Sequence, residues 1–184
     1  MVGAALALDT WTRRPSPRRE RTPYGALAAV CERIVRRTDV LSWPSPKYQR
    51  DPVGFAIEVL GVKMTDALRN FLEALRDNRN VTWRSGHKTG KTTAFAVAAL
   101  WFWCSFPRAC VPVTAVKEEQ ITFGVWKEIR RLCRGAKVPI GVEPHTSCRA
   151  GLHDLRDDRK IWGMTAQRAE GVQGISGPNV LVLV

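Results

Sequence analysis

Between positions 94 and 103 every residue is apolar, which leaves no face for water and predicts a helix buried on all sides. Three other stretches repeat apolar residues at helical spacing: Leu27, Val30 and Ile34; Leu68, Phe71, Leu72 and Leu75; and Ile121, Val125, Ile129 and Leu132. Residues 55–77 read as two helical pieces, with Thr65 as the cap of the second, and Gly135 stops the helix expected over 117–134. Strands are predicted at 80–84, 110–115, 160–164 and 180–184. Pro112 counts against a central position for the second of these, because it cannot donate to a ladder. The last, Val180-Leu181-Val182-Leu183-Val184, is apolar throughout, as a fully buried parallel strand is. Residues 136–157 read as loop. Strands alternating with helices give an α/β class with a mainly parallel sheet.

The chemistry is concentrated where the strand at 80–84 meets the buried helix. Arg84-Ser85-Gly86-His87-Lys88-Thr89-Gly90-Lys91-Thr92-Thr93 fits the phosphate-loop pattern G-x-x-x-x-G-K-[ST], with Ser85 in the first glycine position. Glycines let the main chain curl close around an anion, and successive N–H groups at a helix start then face it. Lys91 would reach the β- and γ-phosphates of a nucleotide, and the Thr92 hydroxyl would ligate Mg²⁺. The backbone from Ser85 through Gly86, His87, Lys88, Thr89 and Gly90 to Thr93 would cradle the phosphates. The competing reading is a polar turn that opens an ordinary core helix.

Charge narrows the partners. Over 184 residues, 29 basic against 17 acidic side chains give a net charge of +12, which suits a polyanion such as nucleic acid or an anionic membrane surface. Residues 1–50 hold ten basic and four acidic groups, a net +6, and the proline- and arginine-rich run 13–23 argues for a disordered arm. Such an arm touches nucleic acid or is merely solvated. On the helix at 117–134, Lys127, Arg130, Arg131 and Arg134 share one face. That stripe tracks a phosphate backbone or is a solvated face, the commoner fate of a bare charge stripe. Five irregularly spaced cysteines and no signal-peptide pattern point to a reducing compartment, and the run 94–104 is too short to span a bilayer.

Other constellations carry less. His145, Cys148 and His153 are three residues of zinc-ligand type where a closed site needs four, with Cys133 the one distant candidate. Asp157-Asp158-Arg159-Lys160 reads as a turn in preference to a nuclease cluster. Trp101, Trp103 and Trp126 lie in apolar segments and read as core.

With these segments placed, the chain resembles the ATPase domain of the large terminase subunit of tailed bacteriophages. The resemblance rests on Asp51-Pro52-Val53-Gly54-Phe55, on the loop at 84–92, on Trp101-Phe102, on Val113-Thr114-Ala115 followed by Gln120 and Trp126, and on Glu170, Gln173 and Gly174 before the terminal apolar run. It covers about residues 51–184, leaving 1–50 as a basic arm with a short helix. The resemblance implies a RecA-like motor that hydrolyses ATP with Mg²⁺ to push double-stranded DNA into a capsid in the host bacterial cytoplasm. It further implies a ring of identical subunits working with a portal protein and a small terminase subunit, away from any membrane. Arg84 would sense the γ-phosphate or be a salt-bridged strand-end arginine. Thr114 and Gln120 would couple nucleotide state to DNA.

Two departures qualify this. Leu68 stands near where the family carries an adenine-reading glutamine. No Asp-Glu pair follows the run 180–184, although Walker B needs one to orient Mg²⁺ and to activate water. The expectation is therefore a fragment that binds nucleotide and hydrolyses it slowly. The rivals are a superfamily 2 helicase-like translocase fragment and a non-enzymatic nucleic-acid-binding remnant.

Overall fold

A computed structural model describes residues 42–84, 86, 89–165 and 175–184, all within the unit Thr38–Val184. Residues 1–41 of the basic arm, with the helix expected from Leu27 to Ile34, and Ser85, His87, Lys88 and the Glu170–Gly174 stretch lie outside the described residues.

The core is a mixed α/β arrangement built on one four-stranded sheet in the order β2-β3-β1-β4, where β1 is Ala109–Ala115, β2 Leu152–Asp154, β3 Arg159–Thr165 and β4 Asn179–Val180. Strand β1 runs parallel to both β3 and β4, while β2 pairs antiparallel with β3. The all-apolar run becomes helix α2, Lys91–Ser105, with ten of its fifteen residues buried. It packs on β1, on helix α1 (Asp66–Asp77) and on helix α3 (Lys127–Gly135). Helix α1 starts as its sequence predicts: the Thr65 hydroxyl accepts from the Leu68 N–H at 3.3 Å, and Leu68, Phe71 and Leu72 are buried. Its partner piece at 55–59 is a π-helical turn, Phe55–Val59.

The helix expected over 117–134 is one rod of mixed winding. A short turn, Glu118–Gln120, leads into a π-helical segment, Ile121–Trp126, and then into α3. The wider turn rotates Trp126 inward, where it is buried and its indole N–H donates to the His145 carbonyl at 3.0 Å. Residues 43–49 also belong to the domain. The Ser45 N–H donates to the Cys104 carbonyl at 2.8 Å, and Trp101 donates to the Tyr48 carbonyl at 2.6 Å. Among the described residues, no helix is long and apolar enough to cross a membrane.

Four sequence expectations need correction. Residues 80–84 join no strand. Trp83 stacks on Phe71 with ring centroids 5.1 Å apart, and a cavity of about 450 Å³, lined by residues 79–83 and 181–184, separates this segment from the sheet. A ladder is a run of backbone hydrogen bonds, and none joins residues 80–84 to 181–184. Second, Pro112 does lie in the central strand. Leu181 N–H donates to Cys110 O, Leu183 N–H donates to Pro112 O, and Thr114 N–H donates to Leu183 O. The one bond missing from this series is the bond a Pro112 N–H would donate, so the pairing splits into β4 and a separate bridge between Val113 and Leu183. Third, the run 180–184 is not fully buried. Leu183 faces the core, but Val180, Val182 and Val184 are exposed on the free edge. Fourth, the loop expected over 136–157 contains β2. The tetrad at 157–160 completes its hairpin, with a turn at 155–158 leading into β3.

Candidate functional site

Of the phosphate-loop residues, Gly90 to Thr93 form the amino end of α2. Gly90 opens the helix in the left-handed region, at φ +86°, a conformation that costs a residue with a Cβ about 1–2 kcal/mol. No side chain caps the end and no acid lies in its first turn. Among the described residues the end thus lacks a cap of its own, although most soluble helices carry Ser, Thr, Asp or Asn there. Lys91 and Thr92 are its first two residues, Lys91 half-buried and Thr92 exposed. Before them, the Thr89 hydroxyl donates to the Gly86 carbonyl at 3.2 Å and tightens the approach.

Thr93 has a second duty. Its hydroxyl donates to Glu128 Oε1 at 2.8 Å, tying α2 to α3. That commits the side chain to packing and leaves the main chain as the group Thr93 can offer an anion. Glu128 also takes two hydrogen bonds from Arg131, at 2.8 and 2.7 Å. The Arg131 guanidinium chiefly, with the Thr93 hydroxyl adding to it against burial, holds the Glu128 carboxyl below the usual range.

The remaining predicted residues are dispersed. Arg84 is exposed and makes no ion pair among the described residues, so the salt-bridged alternative is not realised there. Thr114 sits in β1 with its N–H donated to Leu183 O at 2.7 Å and its buried hydroxyl without a hydrogen-bond partner. Gln120 is exposed; its side-chain oxygen accepts from the Lys117 N–H at 3.4 Å and closes its own turn. No hydrogen bond among the described residues joins Thr114 or Gln120 to the loop.

The residues of metal-ligand type are engaged separately. His145 Nδ1 accepts from the Ser147 N–H, Cys148 Sγ lies 3.3 Å from the Thr122 hydroxyl, and His153 pairs with Asp158 at 3.1 Å. Two of the thiols are equally unsuited to chemistry. Burial raises the Cys104 thiol well above its ordinary value and pushes Cys133 up to about 12, so neither supplies a thiolate at neutral pH.

Sequence reading missed two arrangements. One is the cluster around Arg159, buried beneath the end of α2 between Asp154, Asp157 and the Trp103 ring. Its charges read as an ordinary turn because nothing in the sequence places Trp103 above it. The other is a groove of about 620 Å³ between the start of α2 and α3, lined by Thr92, Thr93, Phe123 and the basic face of α3. The basic stripe was legible, but its facing wall was not. Compared with protein-family models, with curated proteins and with solved structures, the chain matches none.

Proposed function

We propose that this chain is a nucleotide-binding domain of the RecA-like P-loop type, and that the nucleotide is ATP held with Mg²⁺ for a motor that moves double-stranded DNA, as in a terminase large subunit. The observation that carries the reading is the start of α2: a left-handed glycine, an uncapped helix end, then Lys91 and Thr92 in its first turn. A main chain that curls before an uncapped, buried helix is what a phosphate requires, and a lysine followed by a hydroxyl residue is what distinguishes a nucleotide from a bare anion. The parallel pairing of β1 with β3 and β4 supports the α/β frame around it. Residues 80–84, unpaired beside their cavity, do not yet contribute the strand that such a frame places before its loop.

In this reading Lys91 holds the β- and γ-phosphates, Thr92 the Mg²⁺, and Arg84, exposed just before the loop, the γ-phosphate. Binding is the activity that these residues put to the test. Titration of the purified chain with ATP and Mg²⁺ should show binding that Lys91→Ala weakens about tenfold or more, the worth of one charge-assisted contact. Circular dichroism should be unchanged, because Lys91 is at a helix end. Thr92→Ala should reduce the gain that Mg²⁺ brings. Equal ATP affinity in the parent and Lys91→Ala would mean that the loop only opens a core helix.

A further inference from the structure

The groove between α2 and α3 gathers charge of one sign. Four cations line it, Lys127, Arg130, Arg131 and Arg134, against one carboxylate, Glu128. That carboxylate is already matched by Arg131 at 2.7 Å. Lys127, Arg130 and Arg134 make no ion pair among the described residues, and the Arg130 Nε is closed off from solvent without any acceptor. Beside these charges stands Phe123, 75% exposed on the π-helical segment. An aromatic ring held out into water next to unpaired cations contributes nothing to the core, which is the ordinary role of a phenylalanine.

We propose that this groove binds unpaired nucleic acid, with Lys127, Arg130 and Arg134 following the phosphates and Phe123 stacking on a base. The cations call for a polyanion with spaced charges, as a nucleic-acid backbone has. The ring selects the single strand. Bases of a duplex are already stacked on their neighbours, whereas an unpaired base offers a free π-face. The groove borders Thr92 and Thr93, so a strand lying in it would run beside the proposed nucleotide. The site does not depend on that nucleotide, however, and stands if the ATP reading fails.

The test is fluorescence anisotropy of a labelled oligothymidylate of about 15 residues, with a duplex of equal length as comparator and with the full chain throughout. The basic residues of 1–50 are common to every variant, so differences report the groove. Phe123→Ala is expected to weaken the oligothymidylate about tenfold and the duplex little, while Phe123→Trp retains binding. Arg130→Gln with Arg134→Gln should lower the slope of log affinity against log salt by about one to two. Lys91→Ala, expected to lose ATP, should keep the oligonucleotide. Since Phe123 is solvent-exposed, its substitution leaves the core intact, which the urea midpoint checks. Unchanged oligothymidylate affinity in Phe123→Ala, or tighter binding of the duplex than of the single strand, would overturn the proposal.

Discussion

Replacing Arg159 with alanine is expected to remove about 3–5 kcal/mol of folding stability, the usual loss when one member of a buried ion pair is deleted. The side chain is 1% exposed and every face of its guanidinium is used. Nε donates to Asp157 Oδ1 at 2.7 Å, Nη2 to Asp154 Oδ2 at 2.8 Å, and Nη1 to the Trp103 carbonyl at 3.0 Å. The guanidinium carbon lies 4.3 Å from the centre of the Trp103 ring, which adds a cation–π contact away from water. One residue thus joins the β2–β3 hairpin to the carboxyl end of α2. A domain with a total margin of about 5–15 kcal/mol loses a large share of it by this change. Arg159→Lys keeps the charge but not the planar fork, so it should recover less than half of the loss. Urea unfolding measures both. A loss under about 1 kcal/mol in the alanine variant would mean that Arg156, which also grips Asp154 at 2.9 and 2.6 Å, satisfies that carboxylate unaided.

The same cluster sets an acid limit. Hydrogen bonds from Arg156 chiefly, with the nearby Arg159 charge adding to them against burial, hold the Asp154 carboxyl far below the ordinary carboxylate range. The group is depressed in the folded state, so between its folded and unfolded values the unfolded chain binds the extra proton. Its contribution is whole above an unfolded value of about 3.9 and is lost as pH falls below that. The urea midpoint should therefore hold steady as pH falls from about 7 to 5 and descend below about 4. Asp154→Asn should start lower and descend less steeply. Glu58 and Asp77 are also depressed by their partners, Lys47 and Arg76, but both are largely exposed, and solvent mutes what they add. An equally steep acid limb in Asp154→Asn would place the acid limit elsewhere.

How much of this was legible in the sequence depended on whether a signal was local. The buried helix, the Thr65 cap, the stripe on α1 and the strand at β3 each follow from periodicity or from one residue's chemistry. They came through because no distant contact is needed to define them. The failures are all long-range. Pro112 argued against a central strand by a local rule, yet neighbours on both sides pay only one hydrogen bond for it, and that bond falls between β4 and the separate bridge at Leu183. Residues 80–84 have strand composition, but a strand is a pairing, and the nearest parallel edge lies across a cavity. In the site, the order Gly90-Lys91-Thr92 was readable because its chemistry is consecutive. The groove was half-readable: its cations sit on one helix face, while Thr92 and Thr93 come from another element, with Thr93 standing 35 positions before Glu128. Arg159 was unreadable as a buried cation, since only the fold sets it beneath Trp103.

The β2–β3 hairpin was missed because its start is written in one glycine, and that glycine gives the second large effect. Gly151→Ala is expected to cost about 2–5 kcal/mol, the sum of two separate terms. Its φ of +72° strains any residue with a Cβ, by about 1–2 kcal/mol. In addition, an added Cβ would lie 2.0 Å from the Ile161 carbonyl oxygen, inside any real contact distance. That oxygen belongs to the backbone of β3 and cannot rotate aside as a side chain would. Relief requires the hairpin to shift as a unit, which overpacking data put at about 1–3 kcal/mol. The shift also disturbs the bond in which the His145 N–H donates to the Gly151 carbonyl at 2.9 Å, and through it the loop that receives Trp126. Gly141 isolates the first term, because its φ is +83° and nothing stands within 4 Å of where its Cβ would go. Gly141→Ala should therefore lose only the conformational part, about 1–2 kcal/mol. Measured side by side by urea unfolding, the alanine at 151 should lose clearly more than the alanine at 141. Equal losses would mean that β3 yields freely at Ile161, and the tight seating of this hairpin against the sheet would have to be abandoned.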